Sequence, residues 1–278
     1  MIGEALAILS AFCWAGGAAV YKKGLDYTDI KSGNLLRTSF TALGFIVIMS
    51  FNGKLFETIK NLNVELLAVL IVSAIFAFFI GDLCYLAALN RSGVSKTVPI
   101  SSTYPLFVSL WSFMYGKAIS SGIVVGSILI VIAIYLISKG EAKQDGYGIV
   151  FAILAAISWS ISVFLLDYLT LYLPSEAVAG FRFLIVALLM SALSLGKIHI
   201  NSNAIKWLGF GSMIVLVVGN YSFVEAIRLI GSAKVAPISA TYPVISTIFA
   251  RILKEKLTLE IVVGTLASFF GVLLVILS

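Results

Sequence analysis

The sequence predicts an all-α membrane protein with ten transmembrane helices, arranged as two inverted five-helix repeats. Three observations carry that prediction. Hydrophobic residues make up 60% of the 278 positions and charged ones only 12%, with mean hydropathy +1.09, whereas a soluble domain carries about 25% charged residues. Ten apolar runs of bilayer-crossing length, about 17–25 residues, follow one another with short connections. And Lys96-Thr-Val-Pro-Ile-Ser-Ser-Thr-Tyr-Pro105 returns 138 residues later as Lys234-Val-Ala-Pro-Ile-Ser-Ala-Thr-Tyr-Pro243, with seven of ten positions identical.

The helices are expected near 3–21, 34–52, 64–89, 97–116, 121–138, 147–168, 176–196, 205–229, 235–252 and 258–277. The first and sixth correspond: Ala7-Ile-Leu-Ser-Ala-Phe-Cys-Trp14 aligns with Ala152-Ile-Leu-Ala-Ala-Ile-Ser-Trp159 at an offset of 145. The same offset pairs Arg37 with Arg182 near the starts of the second and seventh. From the third and eighth onward the offset is 138, pairing Gly81 with Gly219, Asp82 with Asn220, Ala88 with Ala226 and Gly93 with Gly231. The repeated Lys-to-Pro run opens the fourth and ninth. Ile123-Val-Val-Gly126 and Ile261-Val-Val-Gly264 then align the fifth with the tenth. The change of offset places a seven-residue deletion between helices 7 and 8.

Five helices per copy is an odd number, so the second copy enters the membrane from the opposite side. The expected organisation is residues 1–140 and 141–278 as two inverted repeats forming one membrane unit. Such repeats rock about a shared central site, which favours a carrier. The first apolar run has a repeat partner, so it is expected to belong to the bundle rather than to a cleaved signal.

Composition excludes several classes. The net charge of +6 sits mainly in connections, where Lys and Arg set topology and touch headgroups, so no nucleic-acid partner is expected. Cys13 and Cys84 lie in apolar runs and His199 stands alone, which leaves no metal site, cofactor or disulfide to expect. No phosphate-binding Gly-rich loop and no hydrolytic triad occurs, so the chain is not expected to be an enzyme. Helix connections on one side carry twelve Lys or Arg residues, and those beside the termini carry five. The positive-inside rule therefore puts both termini outside.

Asp82 is the leading candidate functional residue, because a carboxylate within an apolar run is costly unless sheltered. It could couple transport to a proton, or lock helices together. Pro99, Pro105, Pro237 and Pro243 are expected to break helices 4 and 9, since proline removes a backbone donor. Ser101, Tyr104, Ser239 and Tyr242 flank those breaks. Trp14 and Trp159 lie too deep for interfacial anchors. With Asp82, Tyr85, Asn220 and Tyr221 these residues form the expected substrate cavity. Arg37 and Arg182 could each bind an anionic substrate group or a lipid phosphate, with reach to the headgroups the preferred reading; Lys96 and Lys234 are expected to anchor at the interface, and Glu225 to reach it or to serve substrate specificity. The small pairs Gly122/Gly126 and Ala267/Gly271 suit a close contact of helices 5 and 10, within one chain or in a homodimer.

The paired Trp, the paired Arg, the Ala-Gly-Ala-Pro-Pro pattern through helices 3–4 and 8–9, and the five-plus-five arrangement together resemble the drug/metabolite transporter superfamily. The likeness is to its EamA-type ten-helix members and spans essentially the whole chain. Arg251-Ile-Leu-Lys-Glu-Lys-Leu257 resembles the family's Glu-rich connection before its last helix, and Tyr115-Gly-Lys-Ala118 departs from it. The resemblance implies a secondary transporter of small organic metabolites, amino acids foremost, with both termini inside. Two other readings stay open: a carrier or flippase for a lipid-linked sugar or polyprenyl phosphate, and a membrane scaffold without a transport cycle.

Overall fold

A computed structural model describes residues 1–116, 118–138, 146–193, 198–245 and 259–277. The run Arg251–Leu257 and the second part of the expected ninth helix lie outside the described residues, as does the side chain of Pro99. Among the described residues the regular structure is entirely helical, as it must be where lipid offers no partner to a bare amide.

The helices are α1 (Ile2–Gly24), α2 (Ile30–Phe51), α3 (Lys54–Asn61), α4 (Val64–Ser92), α5 (Val94–Ser101), α6 (Tyr104–Met114), α7 (Ser121–Ser138), α8 (Gly146–Tyr172), α9 (Ser175–Leu193), α10 (Ser202–Ile230), α11 (Ser232–Ser239) and α12 (Leu259–Leu277). Six of them, α1, α2, α4, α8, α9 and α10, are long and apolar enough to cross a membrane. At about 1.5 Å per residue, the 19 residues of α9 cover roughly the 30 Å hydrocarbon thickness. Their outward faces carry large apolar side chains such as Phe12, Leu43, Leu154 and Ile214, the surface that lipid covers.

Sequence signals at the helix ends recur at the repeat spacing. Asn63 accepts a hydrogen bond from the Leu66 amide at the start of α4, and Asn201 accepts one from the Ala204 amide at the start of α10, each at 2.8 Å. Gly93 and Gly231 end the same two helices with φ of +73° and +80°, a region that side chains with a Cβ rarely adopt. Their amides close back on Leu89 and Ile227. The expected breaks in helices 4 and 9 fall at Ser102–Thr103 and Ala240–Thr241, just before Pro105 and Pro243. Pro237 is a correction: it sits inside α11 without ending it, and the Ala240 amide still closes on the Ala236 carbonyl beyond it.

The long helices pair across the chain's two halves. α1 packs on α10, α2 on α9, α4 on α8, α6 on α11 and α7 on α12. In the last pair a Cβ on Gly271 would stand 2.7 Å from the Gly126 carbonyl, so the small residues expected to permit close packing do so within one chain. The short helix α3, which apolar length alone does not reveal, lies at the chain-terminal side. There Lys54 pairs with Glu176 at 2.6 Å.

Two π-helical turns interrupt the long helices, Ile75–Gly81 in α4 and Ile205–Gly211 in α10. They do not sit at equivalent repeat positions. Wider turns of this kind leave carbonyls open to side chains. In α4 the Phe76 carbonyl accepts from Ser158 Oγ at 2.6 Å, Ala77 from Trp159 Nε1 at 3.1 Å, and Phe78 from Asn34 Nδ2 at 2.7 Å.

A charged cavity where the two halves meet

A cavity of about 100 Å³ lies between the halves, several times the roughly 10–15 Å³ that one water needs. Of the ten expected cavity residues, Trp14, Asp82, Tyr85, Tyr104, Trp159, Asn220 and Tyr242 line it. Its walls are built twice over. Trp14 packs on Phe223 with ring centroids 4.9 Å apart and planes at 54°, while Trp159 packs on Tyr85 at 5.0 Å and 52°. Each indole also covers a glycine of the other half. A Cβ on Gly81 would stand 2.5 Å from Trp159 Cδ1, and one on Gly219 would stand 3.0 Å from Trp14 Nε1.

The tyrosines repeat this reciprocity. Tyr104 donates its hydroxyl proton to the Ala236 carbonyl at 3.0 Å, and Tyr242 OH lies 3.5 Å from the Val98 carbonyl. Ala236 and Val98 are themselves one repeat apart.

Three expected residues do not reach the cavity. Ser101 Oγ bonds to the Val98 carbonyl and Tyr242 OH, each at 3.1 Å, so it props the tyrosine from behind. Ser239 Oγ contacts Ser10 Oγ at 2.9 Å and the Ala7 carbonyl at 3.2 Å, tying α11 to α1. Tyr221 is one residue from Asn220, a rotation of about 100° on a helix. It is 39% exposed and faces a polar groove with Lys54, Glu176, Glu225 and Arg228. Glu225 is held there by Arg228 and by Ser175 Oγ at 2.7 Å. In this groove the hydrogen bond from Lys54 to Glu176 raises the ammonium pKa above its usual value.

The arginines correct the headgroup expectation. Arg37 and Arg182 are each 2% exposed and line the cavity. The sequence reading started helix 2 at residue 34, which put Arg37 near its end. Asp29 instead caps the helix by accepting from the Lys31 and Ser32 amides, so Arg37 stands two turns in, beyond easy reach of headgroups. Lys96 is likewise buried.

Asp82, 4% exposed, receives Arg37 Nη2 on Oδ2 at 3.2 Å and Trp159 Nε1 on Oδ1 at 3.1 Å. Arg37 also stacks over the Tyr21 ring at 3.9 Å. Arg182 donates from Nη2 to Ser162 Oγ at 2.6 Å, and Ser162 in turn bonds to Ser73. Its guanidinium lies 4.8 Å from the Phe78 ring centre. No carboxylate among the described residues pairs with it, because Asn220 stands where the first half has Asp82. The described residues hold no cluster of metal ligands.

A bundle of long apolar helices around an aromatic-walled cavity that holds charged side chains is the architecture of a multi-pass integral membrane protein. Residues 1–139 and 146–277 match the EamA-like transporter family, and the chain belongs to that family. It is therefore a membrane transporter, not an enzyme. An uncharacterized transporter of Archaeoglobus fulgidus is 33% identical over 281 aligned positions, covering 100% of this chain and 99% of its own. A crystal structure of a protein 15% identical to this one superimposes with a TM-score of 0.78 over 99% of this chain and 96% of that one, which shows the shared fold.

Proposed function

We propose that the chain is a secondary active transporter of small organic metabolites in the cell membrane. It works by alternating access between two inverted five-helix halves, residues 1–140 and 141–278. The observation that carries this reading is the charged cavity where the halves meet, walled by Trp14/Trp159 and Tyr104/Tyr242 in repeat-related positions. Ten spans are reached when α7, α12, the broken pair α5–α6, and the ninth helix that the sequence predicts at 235–252 join the six long helices. The separate family matches to residues 1–139 and 146–277 support the division.

Inverted halves suit rocking because each wall element has a counterpart that performs the same task from the other side. The family resemblance favours amino acids or related compounds as substrates, a class that the charge of the cavity lining narrows below. Asp82 is the group for proton coupling: it takes up a proton when its pairing with Arg37 opens and returns it when the pair reforms. A scaffold predicts a dry seam instead, and a lipid-linked sugar carrier predicts a sideways opening between helices. Counterflow in proteoliposomes tests the carrier reading, with accelerated exchange of a labelled metabolite expected when the same compound fills the lumen. Flat counterflow across a metabolite panel sinks it.

A further inference from the structure

We infer that the cavity recognises a small organic monocarboxylate with an apolar body, and that Arg182 is the residue that binds its carboxylate. The inference rests on the carrier reading for its biological sense, but its physical basis is the charge of the lining.

The lining holds three ionisable groups that are charged at neutral pH: Arg37, Arg182 and Asp82. Arg37 and Asp82 neutralise one another across 3.2 Å, which leaves one positive charge in excess. The excess falls to Arg182, which feels the Asp82 charge through space but has no ion pair with it. Its single hydrogen bond goes to a neutral hydroxyl, and its buried Nε–H has no partner. An uncompensated charge in a low-dielectric site is unfavourable, and a guanidinium fork is shaped to take a carboxylate by two parallel hydrogen bonds. A monoanion would complete the ion pair that the second half lacks.

Two further features narrow the class. A zwitterion brings an ammonium that needs its own carboxylate. Both Asp82 oxygens are already engaged, one by Arg37 and one by the Trp159 indole. A dianion such as a phosphate monoester would leave a charge unmatched. The cavity walls are largely aromatic, with Phe78 against Arg182 and Trp14, Trp159 and Phe223 elsewhere in the lining. They suit a hydrocarbon or ring rather than a sugar, whose hydroxyls would need many partners.

The test is equilibrium binding to the purified full chain with two matched probe sets. These are hydrocinnamate, hydrocinnamamide and phenylalanine; and butyrate, butyramide and α-aminobutyrate. Within at least one set the carboxylate is expected to bind roughly tenfold or more tightly than its amide and its amino acid, about 1.4 kcal/mol per tenfold. Asn220→Asp restores the missing counter-ion with almost no change of shape and is expected to abolish that preference. Arg182→Gln is expected to do the same. Absence of saturable binding by either carboxylate overturns the inference. So does equal binding of amide and carboxylate, preference for the amino acid, or an Asn220→Asp protein that keeps the wild-type preference. A clear carboxylate preference with flat counterflow would leave the anion site standing and remove the carrier. Active counterflow of other metabolites without charge preference would do the reverse.

Discussion

Replacing Gly81 with alanine is expected to be costly because the added methyl group meets a side chain that is held in place, and the structure gives the reason in numbers. The added methyl carbon would stand 2.5 Å from Trp159 Cδ1, 2.7 Å from Trp159 Nε1 and 2.7 Å from the Phe76 carbonyl. The indole must therefore move, and it is fixed by its hydrogen bonds to the Ala77 carbonyl and Asp82, each 3.1 Å. Overpacking of this kind costs about 1–3 kcal/mol, and a hydrogen bond to a charged group adds about 1.5–3 kcal/mol when lost. Alanine's better helix propensity returns roughly 0.5–1 kcal/mol, so a net loss of about 2–4 kcal/mol is expected. Gly219→Ala, with its nearest atoms at 3.0 Å, should cost less than about 1.5 kcal/mol. Gly16→Ala meets nothing within 4 Å and should stabilise slightly. Reversible unfolding in detergent, followed by near-ultraviolet circular dichroism, ranks the three. The double-mutant cycle decides the cause: in a Trp159→Leu background Gly81→Ala should lose most of its effect. An equal loss in both backgrounds would refute the steric account.

Asp82→Asn strips Arg37 of its counter-ion and should destabilise by about 3–5 kcal/mol, the usual cost of breaking a buried pair from one side. Where enough protein folds, transport should no longer respond to an imposed pH gradient, and a retained response excludes Asp82 as the coupling group. Tyr104→Phe removes only the hydroxyl that reaches the Ala236 carbonyl and should cost about 1 kcal/mol, measured by the same unfolding assay. Lys54→Met should cost about 1–2 kcal/mol: solvent screens the part-exposed ammonium, but the variant leaves the buried Glu176 carboxylate without its 2.6 Å partner. The Lys54 pKa is raised in the fold, so the small stability it lends is complete below the unfolded value near 10.4. That increment disappears as pH rises through the folded value, and alkaline titration of wild type and variant should show the curves converging.

The bundle was legible because lipid imposes length and apolarity on every crossing helix, and because the duplication left aligned markers. Gly81/Gly219 and Trp14/Trp159 were visible as pairs, but their mutual contact was not, since each glycine seats the tryptophan of the opposite half. Side-chain direction was the weaker link. Ser101 and Ser239 lie in the motif that first revealed the repeat, yet they face neighbouring helices, while Tyr104 and Tyr242, three positions on, face the cavity. Arg37 is misplaced by a boundary: Asp29 and Lys31 make the beginning of α2 look like a connection, which moves the expected start four residues late. Arg182 has no such excuse, since α9 starts within one residue of its expected position and the side chain turns inward to Ser162. The π turn at Ile75–Gly81 has no sequence signature at all, although it supplies the carbonyls that hold Ser158, Trp159 and Asn34.

A symmetric duplication explains the walls of the cavity but cannot by itself give them a preference. If both halves carried Asp at the Asp82 position, each arginine would have its carboxylate and the cavity would be formally neutral. If both carried Asn, two positive charges would be buried without relief, a cost that few ligands could offset. One Asp and one Asn leave a single unmatched guanidinium in an otherwise balanced frame. The repeat-related positions that agree hold the halves against one another. Among the lining residues, Asp82 and Asn220 are the repeat-related pair that disagrees in charge, and the proposed preference for a monocarboxylate would arise there.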